Sequence, residues 1–248
     1  MLKEGKVIPF LGAGVNFGVR PPDAIWDEKT STFLPSGNEL SDFLARKTRF
    51  PSKDKNDLTD LSKVASYFVE NSARIRLRDR LKEVFNRDFT PCDIHAYLAE
   101  VKTPLLIVTT NYDTLIEQAF LKAGRPYDLV IHPTDRKDME ASVWWWRHNV
   151  DEPEAVQPNK LLIDLETTTV IYKMHGTVDR KSGNKWDSYV ITEEDYVDFL
   201  SRMIGQTAVP AMFTRHFHTR HILFLGYGLH DWNLRVMLKN LKNAPPEG

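Results

Sequence analysis

The stretch VIPFLGAGVN, residues 7–16, is an apolar run that ends in two glycines one residue apart. A glycine-rich turn leaving a strand lets backbone N–H groups approach an anion, and a helix starting just after it adds a favourable dipole. The stretch therefore marks either a phosphate site or a plain turn. Four more runs share its look: PLLIVTT, YDLVIH, TTVIYKMHG and HILFLGYG read as strands, most of them almost continuously apolar. Strands of that kind are covered on both faces, so the expected class is α/β, a Rossmann-like parallel sheet with helices on each side.

Between the first two strands lies a long helical stretch, about 38–88, punctuated ahead by Pro35 and Gly37, with Asn38 as a candidate cap. It is expected to form a small helical lobe. A second insertion, about 133–158, carries VWWWRH among prolines and acids and reads as an irregular excursion. The whole chain, 1–248, is expected to be one catalytic domain, and its ending soon after the last helix suggests the N-terminal part of a longer protein or one component of a complex.

Composition bounds the partners. The 33 basic and 34 acidic side chains nearly cancel, so no global field draws the chain to nucleic acid or to an anionic membrane. No run of ~20 apolar residues is present to cross a bilayer, and no signal peptide is read at the N-terminus. Cys92 is the single cysteine, which excludes an intramolecular disulfide framework and a four-cysteine zinc site and fits a reducing cytoplasm. His216, His218 and His221 cluster in RHFHTRH without an accompanying acid or cysteine, so no metal is expected.

Three further strand ends carry polar residues as the first does: TTNYD after PLLIV, HG after VIYKM, and GYGLHD after ILFL. In open α/β sheets that edge is where ligands sit. A dehydrogenase-type site fits poorly, because Gly18 falls one position late for the third fingerprint glycine and helical sequence stands where the ribose-binding acid should end a second strand. No Gly-Lys-Ser/Thr follows the glycines, so a P-loop fails as well.

GAGVN, TTNYD, MHG and GYGLHD, in this order, resemble the sirtuin pattern of a Gly-Ala-Gly loop, a Thr-x-Asn-x-Asp loop, a His-Gly pair and a late Gly-x-Ser-like loop. Sirtuin deacylases also carry a four-cysteine zinc module and a Gly-Ile-Pro-Asp-Phe-Arg segment, and here the corresponding stretch reads FGVRPPDAIW. With PSGNELSDFLA, PCDIHAYLAEV and YVITEEDYVDFL, the chain looks more like the sirtuin-like domains of bacterial antiphage defence proteins. That resemblance implies NAD as substrate, hydrolysis to nicotinamide and ADP-ribose as the toxic step of abortive infection, and a homo-oligomer or a sensing partner. The alternatives are an NAD-dependent deacylase and a non-hydrolysing NAD or ADP-ribose sensor.

Residue roles follow from the same resemblance. Cleaving the nicotinamide–ribose bond passes through an oxocarbenium-like state, for which His175 can supply a base and Asn111, both donor and acceptor, can hold a ribose hydroxyl and a water. Gly12, Ala13 and Gly14 would cradle the diphosphate, with Asn16 where sirtuins often have serine. Thr110 belongs to the same binding set. Asp113 either faces nicotinamide or its ribose or caps the helix of DTLIEQAF. Gly226, Tyr227 and Gly228 would lie along the adenosine half, and Asp231 touches ribose or caps the last helix. His95 reads as structural.

Two motifs stand apart. ARIRLRDRLK puts Arg74, Arg78 and Lys82 on one helical face and Arg76 with Arg80 on another, a solvated surface by default and a partner or nucleic-acid contact otherwise. Trp144, Trp145 and Trp146 cannot bury all three rings on one face of a strand, so at least one is expected to meet another segment or another chain, the alternative being the domain's own core.

Overall fold

The computed structural model describes residues 1–134, 142–179, 185–205 and 207–228, together with 236 and 239. Its centre is a seven-stranded sheet. The five expected strands are β1 (Val7–Leu11), β2 (Leu106–Thr109), β3 (Asp128–Ile131), β6 (Val170–Lys173) and β9 (His221–Leu225). They are mutually parallel in the order β3-β6-β2-β1-β9. The chain leaves β1 for β2 on one side and returns to it as β9 on the other, so the carboxyl end of β1 is the topological switch point where such sheets bind ligands.

The insertion at 133–158 is more regular than expected. Its described part contains β4 (Val143–Trp146) and β5 (Glu154–Val156), which extend the sheet beyond β3 as an antiparallel pair. Consecutive tryptophans hide the period-2 alternation that announces a strand, so pairing with β3 decides the conformation. Trp144 is fully buried, edge-on to Trp186 at 5.2 Å. The half-buried Trp145 and Trp146 donate their indole N–H groups to Asp128 and to the Val150 carbonyl. All three rings thus find partners within this chain.

Alternating strand residues build two cores. Ile8, Phe10, Val108 and Tyr172 face α7 (Glu193–Ile204) and α8 (Ala211–Thr219), whereas Leu11, Ile107 and Ile171 face α5 (Asp93–Glu100) and α6 (Leu115–Lys122). A third core belongs to the helical lobe, α1 (Gly37–Thr48), α2 (Lys55–Thr59), α3 (Leu61–Ser72) and α4 (Arg74–Phe85). Helix α1 starts one residue pair earlier than read: Ser36, not Asn38, is its cap, and Ser36 with Glu39 forms a reciprocal capping box. A short antiparallel pair, β7 (Gly176–Thr177) and β8 (Ser188–Tyr189), stands at the carboxyl end of β6.

One face of the arginine run on α4, that of Arg74, Arg78 and Lys82, turns inward where a solvated surface was expected, while Arg76 stays exposed and Arg80 pairs with Glu83 on the outside. Arg74 donates to Asp195 at 2.8 Å and to the Tyr189 carbonyl at 2.7 Å, Arg78 donates to the Asp187 carbonyl at 3.0 Å, and Lys82 lies 3.8 Å from the Asp187 carboxylate. Three cations spaced one turn apart meet the acids and carbonyls around β8, and so tie the lobe to the sheet.

Candidate active site

The glycines after β1 are explained by another loop. Gly12 N–H donates to the Leu225 carbonyl and Gly14 N–H to the Gly226 carbonyl, each at 2.9 Å. A Cβ on either glycine would stand 2.8 Å from the Gly226 carbonyl oxygen, and one on Gly226, whose φ is +74°, would stand 2.1 Å from the Val15 nitrogen. Only glycine lets the two loops touch. Tyr227 locks the junction, because its hydroxyl bonds Thr110 Oγ1 at 2.7 Å and donates to the Leu11 carbonyl at 3.2 Å. The ends of β1, β2 and β9 are therefore one rigid surface.

On that surface the polar residues of the second loop are held from below. Asn111 donates its backbone N–H to Thr109 Oγ1 at 3.0 Å and its amide to the Gly12 carbonyl at 3.2 Å. Asp113 accepts from the Leu115 N–H with one oxygen and from Asn16 with the other, both at 3.0 Å. It thus accepts the first N–H of α6 from one residue outside the cap position, Thr114, and also lines the cavity. Asn16 keeps its own amide oxygen buried and without a hydrogen-bond partner.

His175 comes from the short link between β6 and β7. Its partner Gly176 has φ +87°, and a Cβ there would lie 2.1 Å from the Ser188 carbonyl oxygen, so the His-Gly pair is fixed by the β7–β8 approach. The imidazole sits edge-on to Tyr196 and Phe199, both 5.4 Å away. Burial pushes its pKa down to about 4, with Asp195 opposing weakly. The ring is therefore neutral near pH 7.

These residues line one cavity of about 430 Å³. Ala13, Asn16, Thr110, Asn111, Asp113, His175, Gly226, Tyr227 and Gly228 are on its wall, while Gly12 and Gly14 stand behind it as loop contacts. Asp231 lies outside the described residues. The lobe closes the opposite side through Pro35, Ser36 and Asn38 at the start of α1, and α7 contributes Tyr196 and Leu200. Among the described residues a Cβ on Gly228 would meet nothing within 4 Å, and Gly228 lines the cavity. A second cavity of about 570 Å³ lies on the far side of α6, between Gln118, Tyr127 and Trp146.

Sequence reading passed over the ion pair beneath the site. Lys173, fully buried at the end of β6, lies 2.9 Å from Glu117 of α6. The signal was a lysine inside VIYKM and a glutamate inside TLIEQAF, two apolar contexts that seldom hold a charge. His95 is buried and accepts the Cys92 N–H at 3.2 Å, a local cap for α5. Among the described residues no group of three or more His, Cys, Asp and Glu side chains is placed to hold a metal ion, and no helix is long and apolar enough to cross a membrane.

A parallel sheet whose strand ends converge on one cavity through a Gly-Ala-Gly loop, an Asn-Tyr-Asp loop and a His-Gly pair defines the class, and the profile of the SIR2-like domain matches residues 105–247. The chain belongs to this family. It is similar to a protein named defense-associated sirtuin 2 from Bacillus subtilis, 22% identical over 95% of this chain and 19% of that one. It is also similar to proteins named NAD(+) hydrolase ThsA, from Enterococcus faecium (26% identical, 97% of this chain, 41% of the relative) and from Acinetobacter baumannii (28% identical, 74% and 32%). The chain spans less than half the length of each of these relatives.

Proposed function

We propose that this domain hydrolyses NAD to nicotinamide and ADP-ribose. The observation that carries the reading is the convergence of Asn111, Asp113 and His175 with the Gly226–Gly228 loop on one cavity, in a SIR2-like chain whose relatives include proteins named NAD hydrolases. The adenosine half would run along Gly226, Tyr227 and Gly228, the diphosphate past Ala13, and the nicotinamide riboside toward Asn111 and His175. The C–N glycosidic bond breaks, nicotinamide leaves with the bonding pair, and a water oxygen bonds the anomeric carbon. The proton released from that water is taken up by neutral His175 and passed to solvent. Asn111 orients the water or a ribose hydroxyl.

In the whole protein this activity would act as the toxic effector of antiphage defence in the cytoplasm, restrained by self-assembly or by a sensing partner. The test is product analysis: the purified chain, alone and in its assembled state, is incubated with NAD and with an acetylated peptide. Free ADP-ribose and nicotinamide without acyl transfer are expected. Peptide deacetylation would establish a deacylase, and binding without products a sensor.

A further inference from the structure

We propose that Lys173 and Glu117 form a buried positioning pair that sets the backbone of the loop carrying Asn111 and Asp113. The inference rests on reading the cavity above them as a site of NAD cleavage, and the experiment below separates the two.

Lys173 is the last residue of β6, two positions after Ile171, and shares with it the face turned toward α6. The last residues of the parallel strands β1, β3 and β9 are Leu11, Ile131 and Leu225. The remaining parallel strand, β2, ends at the same register in Thr109, so an uncharged side chain is the ordinary occupant, and here an ammonium with no exposed surface replaces it. Its three donors have three acceptors: the Tyr112 carbonyl at 3.5 Å, the Asp113 carbonyl, and Glu117 Oε1 at 2.9 Å. The Tyr112 carbonyl also accepts from the Val178 N–H at 2.9 Å.

Two successive carbonyls turned toward one ammonium fix two successive peptide planes, and these are the planes that follow Asn111 and carry Asp113. The preceding side of the loop is held by Thr109 through the Asn111 N–H. With both sides fixed, the Asn111 and Asp113 side chains are presented to the cavity without local freedom. The pair is a poor device for stability alone. Glu117 Oε2 is buried without a hydrogen-bond partner, and burial raises the Glu117 pKa against the opposing pull of Lys173. A well-packed apolar pair would stabilise at least as well. What an apolar pair cannot do is hold two carbonyls.

The deciding variant is the double replacement Lys173→Met with Glu117→Leu, which removes both charges together and avoids stranding either. Its thermal midpoint, amide hydrogen exchange over residues 109–115, and kcat and KM for NAD are compared with the parent. Expected are a midpoint within a few degrees, exchange at residues 112–115 at least about tenfold faster, kcat lower by about 10- to 100-fold and KM changed less than about threefold. Parental exchange together with parental kcat would overturn the proposal. If the parent itself cleaves no NAD, the cleavage reading fails, and the exchange comparison still decides: faster supports positioning and unchanged refutes it. Should the double variant not fold, Lys173→Gln, beside which Glu117 can stay protonated, is measured in the same way with the same criteria.

Discussion

With its imidazole packed edge-on to Tyr196 and Phe199, His175 loses the water that would stabilise its cation, and its pKa falls to about 4. The base is therefore neutral throughout the range in which cells work, and protonation that disables it belongs near pH 4. The acid limb of kcat/KM is expected there, with no step at pH 6.5; a limb at 6.5 that disappears in His175→Ala would contradict the burial argument. The same variant is expected to lose about 10²–10⁴ in turnover with NAD affinity little changed. Gly228→Leu is its converse: Gly228 lines the cavity and a Cβ there meets no atom of the described residues within 4 Å, so folding is expected to persist while NAD binding is lost. Calorimetric titration beside nicotinamide release distinguishes the two, and a His175→Ala protein with parental turnover would remove this residue from the mechanism.

Among the elements, α4 decides how the lobe meets the sheet. Asp195 accepts from the Ile191 and Thr192 N–H groups at the start of α7 as well as from Arg74, so one carboxylate joins the lobe to the helix that carries Tyr196 and Leu200 into the cavity. Arg74→Met leaves that carboxylate with its backbone donors alone, at an expected cost of about 2 kcal/mol, or roughly 4–8 °C in a domain of this size. Arg76→Met, on the exposed face of the same helix, is the control and is expected to change nothing; equal effects would mean that helix propensity alone is at work. The inward arginines also show where sequence reading stops. Apolar runs ending in glycine and polar residues made the five parallel strands and their loops legible, because backbone pattern and loop chemistry are local. Pairing partners are not local: nothing near Arg74 in the sequence points to Asp195, and nothing near Lys173 points to Glu117. The β4–β5 pair escaped for a related reason, since three adjacent tryptophans carry no alternation and only β3 beside them makes a strand.

Across the whole molecule, buried neutral histidines set the response to acid. His95, His132 and His175 all have pKa values lowered chiefly by desolvation, His132 well below its ordinary value. In the unfolded chain each would titrate near 6.5. Between that value and the lowered folded one the unfolded state binds more protons, so stability is complete above about pH 6.5 and declines as pH falls. For His175 alone, a fall from 6.5 to about 4 corresponds to about 3 kcal/mol by the time the folded pKa is reached. Glu39, held down at about 2 by Arg20, the Ser36 cap and the Trp26 N–H against the cost of burial, adds a second decline below about pH 4.5. Urea unfolding at steps from pH 7.5 to 4.5 is expected to show a stability curve that bends near 6.5. His175→Phe, which keeps an aromatic ring between Tyr196 and Phe199 without a titrating group, is expected to flatten the upper part of that decline. A parent curve level down to pH 5 would mean that water or an unrecognised partner solvates these rings in the folded state, and the case for a neutral base at His175 would fall with it.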